Sequence, residues 1–289
     1  MRKINLVLIV GDLKKDNVSI AISQIKKILD EKNIEYVITR PIYYNLETGL
    51  WLTDLEHPFR WKNFDLIIPV GGDGTFLFTA RTFFEFDIPI LGVNAGRLGF
   101  LMEVFADQFS SALEKIEKGK MKLKERILLQ VKVIRNNRTV FHSHFLNDVV
   151  ISKGILSRMV EISVSIDREP LAQYRADGLI VSTPTGSTAY NLSAGGPILT
   201  QDVNAMILTP ICPHSLGVRP IVTSIEKQLQ ISFLSGGFDT NLTIDGQENF
   251  LLNLNDIIIV KKGKKSVKIY DYGEKEFFHI LREKLGWHI

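Results

Sequence analysis

The first 120 residues alternate short apolar runs with stretches of helical period, and few architectures satisfy that alternation. INLVLIV (4–10), closed by Gly11-Asp12, has the pattern of a strand buried on both faces of a parallel sheet. IEYVIT (34–39), DLIIPV (65–70) and IPILGV (88–93) repeat it. After the first run, Val18, Ile22, Ile25, Ile28 and Leu29 recur at three- and four-residue spacing, predicting a helix that Asn33 ends. Further helical patterns fall around 75–85 and 107–118. Strand and helix in turn predict a Rossmann-like, doubly wound α/β domain over residues 1–124. Residues 41–62, with Pro41, Trp51, Pro58 and Trp61, fit neither period and read as a mobile or substrate-facing loop.

Beyond Lys124 the texture changes. Short β-rich runs follow closely on one another, among them TVFHSHFLNDVVIS, LAQYRADGLIVST, DIIIVKKG and SVKIYDY. Residues 125–270 are therefore predicted to form a mostly antiparallel, sandwich-like β domain. Residues 271–289 contain helical spacing at Phe277, Ile280, Leu281 and Leu285 with Gly286 as a stop, and are expected to return to the first domain. Lys261, Lys262, Lys264 and Lys265 flank Gly263 and read as a solvated turn.

Charge and cysteine usage narrow the class. With 35 Lys and Arg against 32 Asp and Glu, bulk electrostatics predict no nucleic-acid partner. Cys212 is the sole cysteine, which excludes an intrachain disulfide and a thiolate zinc cage and fits a reducing, cytoplasmic setting. No stretch approaches 18 consecutive apolar residues, so no membrane span is expected, and the opening run reads as a strand rather than a signal peptide. His142 and His144 share a strand face, but no matching third ligand is evident. His57 falls in the irregular loop and His214 reads as packed or hydrogen-bonded, so no metal site is assigned.

Glycine is unevenly spread, and its two concentrations carry the chemistry. Ten of the 21 glycines fall in residues 71–99 and 178–196. Gly71-Gly72-Asp73-Gly74-Thr75 follows a buried strand and precedes a helical segment, FLFTARTFF. Strand, glycine turn and helix N-terminus together make an anion site, because the backbone can approach closely and free N–H groups favour phosphate. Neither the G-x-x-x-x-G-K-[ST] nor the G-x-G-x-x-G fingerprint is present. Asp73 is the odd member: near phosphate a carboxylate binds a metal or takes a proton from a hydroxyl, although an N-terminal helix cap would use the same residue.

GGDGT after an apolar strand resembles the shared signature of a kinase superfamily that includes 6-phosphofructokinases, diacylglycerol and sphingosine kinases, and NAD kinases. The second element, Asn94-Ala95-Gly96-Arg97-Leu98-Gly99-Phe100-Leu101, is similar to the NAD kinase pattern specifically. So is the run from Asp177 to Pro197, DGLIVSTPTGSTAYNLSAGGP. Its hydroxyls and glycines are expected to expose donors and oxygens to a nucleoside, with Tyr190 covering a flat base. Asn147-Asp148 resembles the family's ribose-binding pair, Thr209 to Leu216 with Arg219-Pro220 an architectural block, and Asp245-Gly246-Gln247 the family's DGQ turn. The resemblance spans roughly residues 65–250.

The resemblance implies transfer of the γ-phosphate of ATP to the 2'-hydroxyl of the adenosine ribose of NAD, giving NADP and ADP. It puts Asp73 at the reaction centre, accepting the proton or holding the hydroxyl, with Gly71, Gly72, Gly74, Thr75 and Asn94 around the donor phosphates and Mg²⁺ or another divalent cation offsetting their charge. Asn147, Asp148, Arg158, Arg175, Asp177, Thr188, Ala189, Tyr190, Asn191, Ser193 and Gln247 are implied to contact the dinucleotide, Arg158 as readily solvated as bound. The family is typically homo-oligomeric, implying a dimer or tetramer. Two other classes share part of this text: a lipid or sugar kinase would keep GGDGT, and a non-catalytic NAD or NADP sensor would keep the second block.

Overall fold

The computed structural model describes residues 3–40, 63–96, 99–154, 158–273 and 277–287. The loop expected at 41–62, including His57, lies outside the described residues, as do Arg97 and Leu98. The chain divides into two compact units, Met1–Glu125 with Val267–Ile289, and Arg126–Ser266.

In the first unit, β1 (Leu6–Val10), β2 (Glu35–Thr39), β3 (Leu66–Gly71), β4 (Val93–Asn94) and β5 (Val104–Phe105) form a parallel sheet in the order β2-β1-β3-β4-β5. β1 and β3 are buried along almost their whole length, as the continuous apolar runs require. Helix α1 (Asp16–Glu31) turns Val18, Ala21, Ile22, Ile25 and Leu29 inward and ends at Asn33, whose φ of 54° no helix continues. Helix α2 (Asp73–Phe83) follows β3 with only Gly72 between them, and α3 (Phe109–Glu117) follows β5. In this strand order the switch point lies between β1 and β3, so the glycine turn leaves the sheet where α/β folds bind ligands.

IPILGV (88–93) forms less strand than its composition predicts. Ile90 makes isolated bridges to Ile67 and Ile269, and the regular ladder is confined to Val93–Asn94. Pro89 has no N–H to give, and Ile90 donates instead to the Lys268 carbonyl, 2.8 Å away. The final helix α4 of this unit (Phe277–Leu285) buries Ile280 and Leu281 and stops at Gly286, φ 65°.

The second unit is an antiparallel sandwich. β6 (Lys122–Arg135), β7 (Arg138–Phe145), β9 (Val160–Ile166), β10 (Glu169–Ala176), β14 (Leu229–Ser235) and β17 (Ile257–Asp271) form one sheet, ordered β10-β9-β14-β17-β6-β7. β8 (Asp148–Ser152), β11 (Gly178–Ser182), β12 (Ala205–Ile211), β13 (Ile221–Ser224), β15 (Asn241–Ile244) and β16 (Glu248–Leu251) form the other, ordered β13-β12-β11-β8-β15-β16. Side chains from both sheets, including Val131, Phe145, Ile151, Val164, Leu179, Leu208 and Ile258, share one core.

Two runs that read as single strands break at corners. The chain leaves one sheet for the other at Leu146-Asn147, between β7 and β8, and again at Asp177, between β10 and β11. Polar residues interrupt the apolar pattern at both places. The lysines around Gly263, expected in a turn, instead lie along the continuous β17. A Cβ at Gly263 would come within 2.8 Å of the Leu128 carbonyl, so this glycine serves close strand approach rather than a reversal.

Candidate functional site

In the first unit the two glycine motifs are one construction. Gly71 has φ 153°, and a Cβ there would lie 2.6 Å from Thr75 Oγ1, so both conformation and space favour glycine. Gly72 and Gly74 are exposed at the N-terminus of α2. Ala95 N–H donates to the Gly71 carbonyl at 3.0 Å, and Asn94 Oδ1 accepts the Gly96 N–H at 2.7 Å. Asn94 thereby shapes the segment beside the turn.

Asp73 binds the same construction from the other side. Its two carboxylate oxygens accept the N–H groups of Phe100 at 2.9 Å and Leu101 at 3.1 Å. A Cβ at position 99 would fall 2.0 Å from Asp73 Oδ1, which is why a glycine stands there. Each oxygen accepts one of these N–H groups and keeps another lone pair for a hydroxyl. Asp73 is thus a brace between the motifs as well as an acceptor.

In the second unit a cavity of about 360 Å³ opens at the first corner, lined among others by Asn147, Asp148, Ala189, Tyr190 and Asp245. Asp148, Val150 and Ser152 alternate along β8 toward this cavity, while Val149 and Ile151 enter the core. Tyr190, 45 % exposed, lies at the start of the short helical turn Tyr190–Ser193.

Asp245 organises the corner. Its carboxylate accepts three backbone N–H groups, from Leu146 at 3.1 Å, Asn147 at 2.8 Å and Asp148 at 3.1 Å. Thr183 N–H and Ser182 Oγ hold the Asn147 carbonyl at 2.9 and 3.2 Å. A Cβ at Gly186 would lie 2.1 Å from that carbonyl oxygen. Asp148, 4 % exposed, is consequently buried beside a second carboxylate. Burial first, and then the negative charge of Asp245, push its carboxyl up to about 7.

Several expectations change. The hydroxyls of Ser182, Thr183, Thr185 and Ser187 are buried rather than presented to a ligand; Ser187 Oγ donates to the Pro184 carbonyl at 2.7 Å and Thr183 Oγ1 accepts Gly186 N–H at 3.1 Å. Asn191 is fully buried, donating to Ser187 and Pro197 carbonyls and accepting from Thr209 Oγ1 at 2.6 Å, so it supports the fold and does not line the cavity. Thr188 bonds back to the Thr185 carbonyl at 3.4 Å, and Ser193 is exposed. Gln247 closes the β15–β16 turn through its N–H and lies outside the lining, whereas Asp245, two residues earlier, lines it. The signal for Asp245 was its Asp-Gly step: φ values of 48° and 65° make it a tight hairpin turn, with its side chain directed at the neighbouring corner.

The charged residues lie elsewhere on the unit. Asp177 pairs with Lys153 at 2.6 Å, Arg175 faces Glu161 across the strand pair at 3.9 Å, and Arg158 is exposed. None of the three lines the cavity. His142 and His144 stand beside Gln130, their rings 5.0 Å apart, and among the described residues no group of three potential metal-binding His, Cys, Asp or Glu side chains gathers.

Comparison with known proteins accounts for both halves of this arrangement. The ATP-NAD kinase N-terminal domain matches residues 7–121 and the ATP-NAD kinase C-terminal domain matches residues 146–272. The chain belongs to the ATP-NAD kinase family. Relatives within it include an NAD kinase of Syntrophotalea carbinolica, 43 % identical over 77 % of this chain and 78 % of the relative. An NAD kinase of Aquifex aeolicus is 41 % identical over 78 % of this chain and 82 % of the relative. The fold is shared with yeast NADH kinase complexed with NADH, at a TM-score of 0.86, 24 % identity and coverage of 100 % and 89 % of the two chains. It is also shared with an Archaeoglobus fulgidus NAD kinase in complex with ATP, at 0.74, 24 % identity and 97 % coverage of both. The family thus covers both the α/β unit bearing the glycine turn and the sandwich bearing the Asp148 cavity. Among the described residues no helix is long and apolar enough to cross a membrane.

Proposed function

We propose that this chain is an NAD kinase, transferring the γ-phosphate of ATP to the 2'-hydroxyl of the adenosine ribose of NAD. The observation that carries this reading is the cavity at Asn147-Asp148. An amide and a carboxyl are held there by fixed backbone bonds, beside an exposed tyrosine ring, and that combination suits ribose hydroxyls and a base. The glycine turn supplies the donor end: exposed backbone at the N-terminus of α2 favours phosphate.

Asp73 orients the attacking hydroxyl and receives its proton. In phosphoryl transfer little bond-making precedes the transition state, so positioning and charge stabilisation outweigh strong base catalysis. A carboxylate fixed by two N–H groups is suited to positioning. Mg²⁺ would be held by the triphosphate oxygens of ATP rather than by a protein cage, and would offset their charge beside the glycine turn. We further propose a homo-oligomer, as the family resemblance implies, in the reducing cytoplasm that the single cysteine fits. Arg175 and Asp177, outside the cavity lining, are proposed as dinucleotide contacts beyond it.

Incubation of the purified protein with ATP, Mg²⁺ and NAD, followed by an NADP-specific dehydrogenase assay, tests the reaction. Formation of NADP is expected, and inorganic polyphosphate in place of ATP reads donor choice. No NADP from any donor would refute the enzymatic reading.

A further inference from the structure

His142 and His144 share one face of β7 with no third ligand near them along the chain, and the neighbouring strand supplies one. β6 and β7 form a hairpin in which Gln130 stands opposite His144 and Lys132 opposite His142, so these four residues lie on the same, outward face. Their neighbours Leu129, Val131, Val133 and Phe145 point the other way, into the sandwich core. Both imidazoles turn toward a single atom: Nε2 of His142 lies 2.8 Å, and Nε2 of His144 3.3 Å, from the amide nitrogen of Gln130. An amide nitrogen only donates, so each Nε2 meets it with a lone pair and carries its own proton on Nδ1. The two rings are nearly perpendicular, at 83°, with centroids 5.0 Å apart.

Two nitrogen lone pairs aimed at one point are the start of a metal site. Imidazole suits Zn²⁺, Ni²⁺ and Cu²⁺, whereas Mg²⁺ takes an oxygen shell. A half-turn of the Gln130 amide brings Oε1 to the point its nitrogen holds, giving a third ligand, and water completes a tetrahedron. Zn–N bonds are about 2.0–2.1 Å long, so each ring would swing inward by roughly 1 Å from its contact with the amide. His142 is exposed and His144 half-buried, which leaves an ion an open approach. Lys132 on this face opposes a second cation, but its ammonium sits on a flexible four-carbon stem that solvent can accommodate.

We propose that His142, His144 and Gln130 bind a divalent transition-metal ion, chemically distinct from the Mg²⁺ that accompanies ATP. The ion joins β6 to β7, the edge strand of its sheet. Between the two histidines Ser143 faces inward and donates to Glu248 Oε2 at 2.8 Å, so the segment clamped from outside also braces the β15–β16 hairpin from within.

Calorimetric titration of the full-length protein, stripped of metal by a chelator, uses Zn²⁺ as the probe. Binding at micromolar Zn²⁺ is expected, and excess Mg²⁺ should not displace it. His142→Gln and His144→Gln should each weaken binding at least about tenfold, whereas His279→Gln, taken from the helical pair with Glu283, should leave it unchanged. Gln130→Glu places a charged oxygen at the same point and should tighten binding about tenfold, a gain that a purely structural role for Gln130 would not give. Hydrogen exchange on the native protein needs no variant: the amides of residues 141–145 should exchange about tenfold more slowly with Zn²⁺ at ten times its Kd than in chelator. No Zn²⁺ binding, equal binding by the native protein and either His142→Gln or His144→Gln, no tightening in Gln130→Glu, or unchanged exchange at residues 141–145 each overturns the proposal.

Discussion

Replacing Asp245 with Asn removes one charge and one acceptor from the corner that shapes the second-unit cavity. In the native protein Oδ1 accepts the N–H groups of Asn147 and Asp148 and Oδ2 accepts that of Leu146, at 2.8 to 3.1 Å. An amide retains one oxygen, so at least one buried N–H faces an NH₂ group instead. A hydrogen bond to a charged group contributes about 1.5–3 kcal/mol, and the stranded donor adds about 1–3 kcal/mol of its own. The surviving bonds weaken as their acceptor becomes neutral. A local loss of about 2.5–6 kcal/mol follows, equivalent to about 70-fold to about 3 × 10⁴-fold faster amide exchange where opening is confined to this corner. The loss depends on pH because Asp148, pushed up to about 7 by burial and by Asp245, is protonated at pH 5.5 and largely ionised at pH 8.5. At the higher pH the substitution also relieves repulsion, so the penalty shrinks. Hydrogen exchange at Leu146, Asn147 and Asp148, with calorimetric NAD binding at both pH values, measures it. Unchanged exchange and NAD affinity at both would refute the bracing role of Asp245.

Other outcomes are equally specific. A carboxyl raised from 3.8 to about 7 contributes stability that is complete below about pH 4 and lost as pH rises through 7, a cost of about 4 kcal/mol for the ionised form. Asp148→Asn should flatten the stability profile between those limits, and urea titrations across that range check it. Asp73→Asn should lower NADP formation by about 10²-fold or more, from loss of both hydroxyl positioning and the clamp on Phe100 and Leu101; an undiminished rate would exclude Asp73 from the reaction. Gly186→Ala drives a methyl group to 2.1 Å from the Asn147 carbonyl oxygen and should destabilise the protein by about 2 kcal/mol or more while weakening NAD binding, both read by denaturation and calorimetry.

The α/β unit was legible because its signals are local. Continuous apolar runs such as DLIIPV specify buried parallel strands, and the glycine turn after that run identifies a phosphate site within a few residues of chain. The identity of the family was likewise carried by contiguous text, GGDGT and the block from Asp177 to Pro197. Periodicity gave no account of Gly263, whose role depends on the Leu128 carbonyl of an adjacent strand, or of the sheet changes at Asn147 and Asp177, where one apolar run serves two sheets.

Sequence by itself determined which residue types are present for the chemistry and where backbone can turn; tertiary structure decided which of them are available for it. Ser182, Thr183, Ser187 and Asn191 have the polarity of ligand-binding residues yet satisfy buried backbone groups, because a polar atom inside a sandwich must find a partner there. Asp245, read only as part of a turn, instead became the anchor of a corner about 100 residues away in sequence. Asp73 gained a second task as a clamp on Phe100 and Leu101. Hydrogen-bond partners are set by proximity in space, and strand pairing brings together acceptors and donors that no local pattern connects.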